Sequence, residues 1–225
     1  MTRPEVISVN VGLPRTTTWA GRQVTSAIWK QPVGSRVAVS GVNFDGDDQA
    51  DRRVHGGPDK AVYAYAIEDY DWWTAELATD VGVATFGENL TTRGIDLSQC
   101  VIGQRWHVGT AVLEVAQPRE PCFKLGMRMG DAHFVEQFDE SGRSGAYLRI
   151  VVAGDVGAGD DIVIEDAPAH GLRISDLVHA SFHSPVALFE RIASVSDVPE
   201  GWRQLARRRL ERESGGEHLA GAPPS

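Results

Sequence analysis

Short apolar runs bounded by turn residues fill the first three quarters of this chain and constrain its fold more than any other feature. Eight such runs are four to eight residues long, rich in β-branched or aromatic side chains, and bounded by Gly, Pro or Asp. Runs of this kind predict strands. They cover residues 6–11, 26–29, 36–39, 61–65, 105–108, 111–115, 147–153 and 162–165. Because no regular helices alternate with them, they favour a barrel or a sandwich over a doubly wound sheet.

Two details refine this expectation. Gly109-Thr110, between the fifth and sixth runs, fits a tight hairpin loop with Gly at its first central position. A helix is expected from residue 67, where apolar side chains recur at helical spacing and two acids occupy the first turn. Its apolar residues are Ile67, Tyr70, Trp73 and Leu77, and its acids are Glu68 and Asp69.

The apolar spacing changes after Pro168 to the helical period. Ser175 is the expected N-cap of a first helix, Ser184-Pro185 starts a second, and Pro199-Glu200 opens a third. We therefore predict a mainly β, barrel-like domain over 1–167 with a few helices. A small three-helix bundle over 168–213 packs on it, and a mobile tail covers 214–225.

The charge balance argues against two classes of partner. The 225 residues include 22 Lys and Arg against 31 Asp and Glu, a formal net charge of −9. An acidic protein binds nucleic acid and anionic membranes poorly, because both are recognised through cationic side chains. We expect neither partner, and any anionic ligand needs a local cationic pocket. No apolar run reaches the ~18 residues of a membrane span and no secretory signal is visible, so a cytoplasmic location is expected.

The two cysteines, Cys100 and Cys122, rule out a disulfide framework and a cysteine-only zinc site. Two prolines stiffen the backbone ahead of Cys122, and Arg119 and Lys124 flank it. Nearby cations stabilise a thiolate, which can act as a nucleophile, a persulfide carrier or a soft metal ligand. The alternative is a buried structural cysteine, which is the interpretation we adopt for Cys100.

A glycine-rich segment precedes the fourth predicted strand. His55-Gly56-Gly57 brings bare backbone close to its surroundings, and Lys60 adds a full positive charge. Consecutive N–H groups in such a turn can form a nest for an anion. The alternative is a polar turn that binds nothing.

Two other segments place polar side chains where a ligand or the protein itself can use them. Glu88 and Asn89 can hydrogen-bond a polar heterocycle, or lie in an ordinary loop. Arg149 lies inside an apolar run and needs an anionic partner, which can be a ligand or an internal Asp or Glu. Motifs for Rossmann, P-loop, nucleophile-elbow and His-Glu-x-x-His chemistry are absent, and the other histidines lack metal-ligand spacing.

Taken in order, these segments resemble the MOSC family, and most closely its bacterial YiiM-like branch. Four motifs carry the resemblance over about 100 residues, and each is weak alone. They are Gly46-Asp47-Asp48-Gln49-Ala50-Asp51 with His55-Gly56-Gly57 and Lys60-Ala61-Val62-Tyr63, then Phe86-Gly87-Glu88-Asn89-Leu90, then Gln117-Pro118-Arg119-x-Pro121-Cys122-x-Lys124-Leu125, then Gly145-x-Tyr147-Leu148-Arg149. The C-terminal helices are similar to a three-helix extension of this branch. Ala146 departs from the pattern, since the branch usually has Trp there.

The resemblance implies a barrel-like β fold that holds a molybdenum cofactor, a molybdenum–pyranopterin, and it does not point to pyridoxal phosphate. The family's cysteine, here Cys122, is the expected metal ligand and catalytic residue. Glu88 and Asn89 suit the hydrogen-bonding edge of the pterin, and cations and backbone donors suit its phosphate. The expected phosphate-binding residues are His55, Gly56, Gly57, Lys60, Arg119, Lys124 and Arg149.

The reaction that the resemblance implies is the reduction of small N-hydroxylated compounds, such as hydroxylaminopurines, with electrons from a flavin or iron–sulfur protein. Two alternatives stay open: a sulfur carrier with a persulfide on Cys122, and a cofactor-binding module without turnover. The last helix carries a set of arginines that could dock an acidic redox partner or lie on a solvated face. They are Arg203, Arg207, Arg208, Arg209 and Arg212.

Overall fold

The computed structural model of the protein describes residues 3–50, 56–183 and 186–217. The strands are β1 (Glu5–Val11), β2 (Arg15–Trp19), β3 (Arg22–Ser26), β4 (Gln31–Val33), β5 (Val37–Ser40), β6 (Asn43–Phe44), β7 (Val62–Ala66), β8 (Leu90–Arg93), β9 (Arg105–Val108), β10 (Ala111–Pro118), β11 (Ala146–Val152), β12 (Gly154–Val156) and β13 (Ile162–Ile164). The helices are α1 (Ile67–Leu77), α2 (Phe123–Met129), α3 (Phe134–Glu140), α4 (Ile174–Phe182), α5 (Val186–Ser194) and α6 (Glu200–Glu217). The expectation of a mainly β protein with added helices is confirmed.

Eight strands form the main sheet, in the order β13-β9-β10-β11-β7-β8-β1-β4. Only the β7–β8 pair is parallel among the pairs of this sheet. The sheet curls until β1 meets the segment before β13, where Glu5 and Asp161 form one isolated bridge and the N–H of Ile162 donates to the carbonyl of Pro4 at 2.9 Å. Within the described residues no continuous ladder closes this sheet, so of the expected barrel-like β fold the structure confirms the mainly β architecture and not a closed barrel.

Two smaller sheets complete the β structure. Strands β12, β5 and β6 form a three-stranded sheet, and β2 and β3 form a hairpin of their own. The segment after β3, predicted as a strand over 26–29, is not one, since β3 ends at Ser26. The predicted hairpin at Gly109-Thr110 is confirmed, because Val108 and Ala111 face each other in the β9–β10 pair.

The C-terminal helices α4, α5 and α6, which we call the extension, share an apolar core with the main sheet. Trp106 and Leu148 of the sheet lie in the same buried cluster as Leu177, Phe189 and Ala206 of the extension. The extension therefore packs on the β part through buried side chains of all three of its helices. The predicted N-cap at Ser175 is displaced by two residues, because Arg173 caps α4 and exchanges hydrogen bonds with Asp176.

Helices α2 and α3 were not predicted, and for α2 the sequence explains why. Helix α2 follows two prolines and contains Gly126, a weak helix former. That glycine is needed for packing, since an added Cβ would lie 2.8 Å from the carbonyl of Asp131. Helix α6 continues to Glu217, into the stretch predicted as a mobile tail, while Ser184-Pro185 and residues 218–225 lie outside the described residues.

A second apolar cluster includes residues of α1, α2 and α3, and seven of its eleven buried residues are aromatic. Trp73 stacks on Phe138 with 5.9 Å between ring centroids, and Tyr70 stacks on Phe86 at 4.9 Å. The indole N–H of Trp73 donates to the hydroxyl of Tyr65 at 2.8 Å. This cluster gives the loop before β8 a rigid base. No helix in the described part of the chain is long and apolar enough to cross a membrane.

Gly145 shows why the fourth motif begins with glycine. Its φ is +64°, and an added Cβ would lie 2.6 Å from the carbonyl oxygen of Ala64 and 2.8 Å from the ring of Tyr63. The residue is therefore under two constraints, a left-handed backbone and the close approach of β7. Gly142 has a similar φ of +67° but open space around its Cβ position.

We expect Gly145→Ala to lower the free energy of unfolding by about 3 kcal/mol, because backbone strain and a steric clash add. The control Gly142→Ala carries the strain alone and should cost about 1 kcal/mol. Urea unfolding of both variants measures the difference. Equal losses would show that the approach of β7 does not constrain position 145.

Candidate functional site

A cleft with about 710 Å³ of empty space opens between the end of the β2–β3 hairpin, the segment around Asp47, and the start of α2. Five residues selected from three sequence motifs line it together. They are Lys60, Asn89, Arg119, Cys122 and Lys124. A concave site with a few convergent polar side chains is typical of small-molecule and cofactor sites. The structure thus brings together a thiol and several cations from distant parts of the chain.

Cys122 is a free cysteine of intermediate exposure in the cleft wall. It is the N-cap residue of α2, and its carbonyl accepts a hydrogen bond from the N–H of Leu125 at 2.8 Å. Cys100 is also free, but it is buried, and burial raises the pKa of its thiol to about 12. Of the two cysteines, Cys122 is therefore the one whose sulfur a molecule in the cleft can reach.

Arg119 contributes a buried positive charge to the cleft. Its guanidinium donates to the carbonyl of Phe86, and its central carbon lies 4.9 Å from the ring centroid of Tyr63 and 5.8 Å from that of Phe138. Tyr63 is held in turn, because its hydroxyl donates to the carbonyl of Ser144 at 2.9 Å. Aromatic faces and one carbonyl fix this guanidinium, so it is pre-organised for an anion in the cleft.

The ion pair between Lys30 and Asp47 is buried in the wall of the cleft, with exposed side-chain fractions of 8% and 3%. Burial lowers the pKa of Lys30, and the facing Asp47 carboxylate opposes that shift. Asp47 also accepts the N–H of Gly12 at 2.9 Å and the amide of Asn89 at 2.8 Å. Sequence analysis gave neither residue of the pair a role. The available signal was Lys30 itself, a charge directly after an apolar run.

Asn89 lines the cleft, whereas Glu88 does not. The side-chain oxygen of Asn89 accepts the backbone N–H of Tyr63 at 3.1 Å. Glu88 is fully buried beside it and accepts the hydroxyls of Tyr70 at 2.7 Å and Thr91 at 2.8 Å. Burial raises the pKa of the Glu88 carboxyl, while those hydrogen bonds oppose the shift. The carboxyl expected to face a pterin is therefore occupied by internal donors.

Arg149 also has internal partners and does not line the cleft. Its guanidinium donates to the carboxylates of Asp59 at 2.6 Å and Glu114 at 2.9 Å, and to the carbonyl of Asp197 at 3.0 Å. The sequence left open whether the partner of Arg149 is a ligand or an internal carboxylate, and in the structure its partners are internal carboxylates. The phosphate-binding role expected for Arg149 thus has no support in this geometry.

The glycine-rich segment borders a second cavity of about 1070 Å³ that lies against α6. Gly56 and Gly57 line only this cavity, while Lys60 lines both it and the cleft. Gly57 has a φ of +98° and open space around its Cβ position, so its backbone angle explains the glycine. His55 lies outside the described residues.

The C-terminal helix holds the turn that carries Lys60. The indole N–H of Trp202 donates to the side-chain oxygen of Gln117 at 2.8 Å, and the amide of Gln117 donates to the carbonyl of Asp59 at 3.2 Å. Asp59 and Lys60 belong to the same 3₁₀ turn. Sequence analysis missed this link, since no local pattern pairs residues so far apart.

Comparison with known proteins identifies the family of this sequence. The family model described as the MOSC domain matches residues 51–163. "Uncharacterized protein YflK" of Bacillus subtilis strain 168 is 34% identical over 212 residues, which cover 93% of this chain and 96% of that protein. "Protein YiiM" of Escherichia coli K12 is 32% identical over 197 residues, covering 82% of this chain and 85% of that protein.

Two further matches bear on activity and fold. A protein of Gibberella moniliformis named "Reductase" is 34% identical over 152 residues, which cover 66% of this chain but only 27% of that protein. The crystal structure of YiiM from Geobacillus stearothermophilus superposes with a TM-score of 0.77 at 30% identity, covering 92% of this chain and 99% of the other.

The two cysteines should react with a thiol reagent at very different rates. At about pH 8, iodoacetamide is expected to label Cys122 at least about tenfold faster than Cys100, because the buried Cys100 thiol keeps its proton up to about pH 12. Mass spectrometry of the digested protein gives both rates. Cys122→Ser should remove the fast reaction, and denaturant should make both cysteines react. Fast labelling of native Cys100 would contradict the described burial.

The hydrogen bond between Trp202 and Gln117 should appear as a coupling energy. In a double-mutant cycle with Trp202→Phe and Gln117→Met, we expect a coupling of about 1 kcal/mol, because either single change leaves a buried polar group without its partner. Urea unfolding supplies the four free energies. Additive effects would mean that the helix does not hold the turn through this contact.

Proposed function

Because this chain belongs to the MOSC domain family, we propose that it binds the molybdenum cofactor in the Cys122 cleft and reduces N-hydroxylated compounds. One observation carries the proposal: the partly exposed Cys122 thiol shares a cleft with Lys60, Arg119 and Lys124. A soft thiolate suits a soft, redox-active metal, and the cations suit an anionic cofactor.

The residues of the cleft fit such a group by their chemistry. Among the described residues that line the cleft, Cys122 has the only sulfur, so it would supply the one thiolate to a metal held there, and the cofactor would supply the other ligands. Arg119 offers a fixed guanidinium, and Lys124 has no ion-pair or hydrogen-bond partner in the described part of the chain. Both charges are available to a phosphate.

In this proposal the cofactor supplies the two-electron chemistry, and the protein binds, orients and shields it. The Lys30–Asp47 pair and Asn89 keep one wall of the cleft in place. Arg119 holds the other wall through the carbonyl of Phe86. The walls are built from buried and mutually bonded side chains, which is what a pre-organised site needs.

Reduction of an N-hydroxylated substrate is balanced by two electrons and two protons. The N–O bond of R–NHOH breaks, and R–NH₂ and water form. A donor protein with a flavin or iron–sulfur centre is oxidised in the same turnover. The fungal relative named "Reductase" supports the requirement for an electron donor. The matched segment is about a quarter of that protein, so most of its length is left for other redox components. We propose hydroxylaminopurine-like bases as substrates and the cytoplasm as the location, where two free thiols persist.

A sulfur carrier is the second candidate, and the same geometry favours it. A persulfide on Cys122 would be equally reachable in the cleft and would be stabilised by the same cations. A cofactor-binding module without turnover is the third. The three differ in what the purified protein contains and whether it turns over substrate.

The test uses protein produced in a host that synthesises the molybdenum cofactor. We expect about one molybdenum per chain and reduction of benzamidoxime or 6-hydroxylaminopurine with dithionite-reduced methyl viologen. Cys122→Ala should lower both molybdenum content and turnover at least about tenfold, and Cys100→Ala is the matched control that should keep both.

The other outcomes separate the candidates. Labile sulfane sulfur without molybdenum would support the sulfur carrier, and bound cofactor without turnover would support the binding module. Reduction by Cys122→Ala at the wild-type rate would refute every role of Cys122 in catalysis.

A further inference from the structure

Resting on the proposed function, we propose that the electron donor is an acidic protein that docks on one side of α6. The docking surface consists of Arg208, Arg209 and Arg212, which we call the arginine flank. All three side chains are exposed. None has an ion-pair or hydrogen-bond partner among the described residues.

The helical period separates the arginines of α6 into two groups. Over 200–213, the part of the helix whose side chains the structure describes, Trp202 and Ala206 are the buried positions. At about 100° per residue, Arg208, Arg209 and Arg212 lie to one side of that buried stripe. Arg203 and Arg207 lie to its other side, where both pair with Glu200, at 2.7 and 3.2 Å.

The arginine flank is next to the proposed active site. Arg208 lines the second cavity, whose walls include Lys60 and Glu120. Those two residues also line the cleft that contains Cys122. A protein seated on the flank would therefore be separated from the cleft only by the turn of Pro58–Lys60 and its neighbours.

Charge determines the kind of partner. With a net charge of −9, the chain as a whole repels acidic proteins. Three unpaired guanidinium groups place positive charge on one flank of this acidic protein, and each can take a carboxylate in a two-pronged hydrogen bond. Charge pairs of this kind steer a partner to one orientation and raise the rate of association. Electron transfer, which needs frequent and short-lived encounters, uses contacts of this type.

The flank also has a structural basis for its position. Trp202 is bonded to Gln117, and Gln117 to the turn of Asp59. Helix α6 is thereby fixed to the β part beside the cleft. A donor bound to the flank would be held at one distance from the cleft, as a surface on a loosely attached helix could not achieve.

The experiment compares two double variants of the cofactor-loaded protein. Arg208→Gln/Arg212→Gln removes two charges one turn apart on the flank, and Arg203→Gln/Arg207→Gln removes two charges at the same spacing on the other side. Benzamidoxime reduction is measured with methyl viologen, with a reduced plant-type [2Fe–2S] ferredoxin and with a reduced flavodoxin, the last two being acidic proteins.

We expect the flank variant to lose about tenfold in kcat/KM for the protein donors at about 50 mM salt and to keep its viologen rate. The control variant should stay within about twofold of wild type with all three reductants. Raising the salt should slow the wild type more than the flank variant, because screening removes only the attraction that is still present.

Several results would overturn the proposal. Equal losses in both variants would indicate a general effect of charge, and an unchanged rate of the flank variant with either protein donor would show that this donor does not dock on the flank. The proposal also fails if neither acidic donor reduces a wild-type protein that viologen reduces, or if the flank binds duplex DNA in preference to both. No turnover with viologen would instead refute the proposed function, and the docking surface with it.

Discussion

The side-chain amide of Asn89 is the contact on which the geometry of the cleft depends. Its oxygen accepts the backbone N–H of Tyr63, and its nitrogen donates to Asp47, which is paired with Lys30. Four segments far apart in sequence are thereby fixed around one buried group. Because burying polar groups without partners is costly, each member of this network fixes the position of the others. The cleft that Cys122 lines therefore has a wall whose shape is determined before any ligand arrives.

Much of the fold could be predicted from local patterns, because strands and amphipathic helices are encoded by the spacing of apolar residues. Strand β9, the β9–β10 hairpin and helix α1 follow that spacing within a residue or so. Helices α2 and α3 could not be found in this way. The first contains Gly126, whose place is decided by the approach of Asp131, and such tertiary packing outweighs local propensity. How far the sheet closes, through one isolated bridge at Glu5 and a few backbone hydrogen bonds beside it, is likewise a property of the whole sheet.

The candidate site shows the same division between local and tertiary information. The sequence identifies residues whose charge or reactivity needs an explanation, and Cys122 and Arg119 do meet in one cleft. It cannot state which partner a charge will find. Arg149 and Glu88 carried the same kind of signal, yet the fold gives both of them internal partners. Lys30 is a further charged residue that needs a partner, since it directly follows a short apolar run. Its partner in the cleft wall, Asp47, lies in another segment of the chain.

The C-terminal helix α6 joins the two proposals in one element. Its inner side holds the turn of Lys60 through Trp202 and Gln117, and so contributes to the shape of both cavities. Its exposed side carries unpaired arginines, of which Arg208 borders the second cavity. A helix fixed in this way sets the distance between a surface partner and the cleft, since it cannot move without breaking buried hydrogen bonds and apolar contacts. The packing that stabilises the extension therefore also fixes the position of α6 relative to the cleft that contains Cys122.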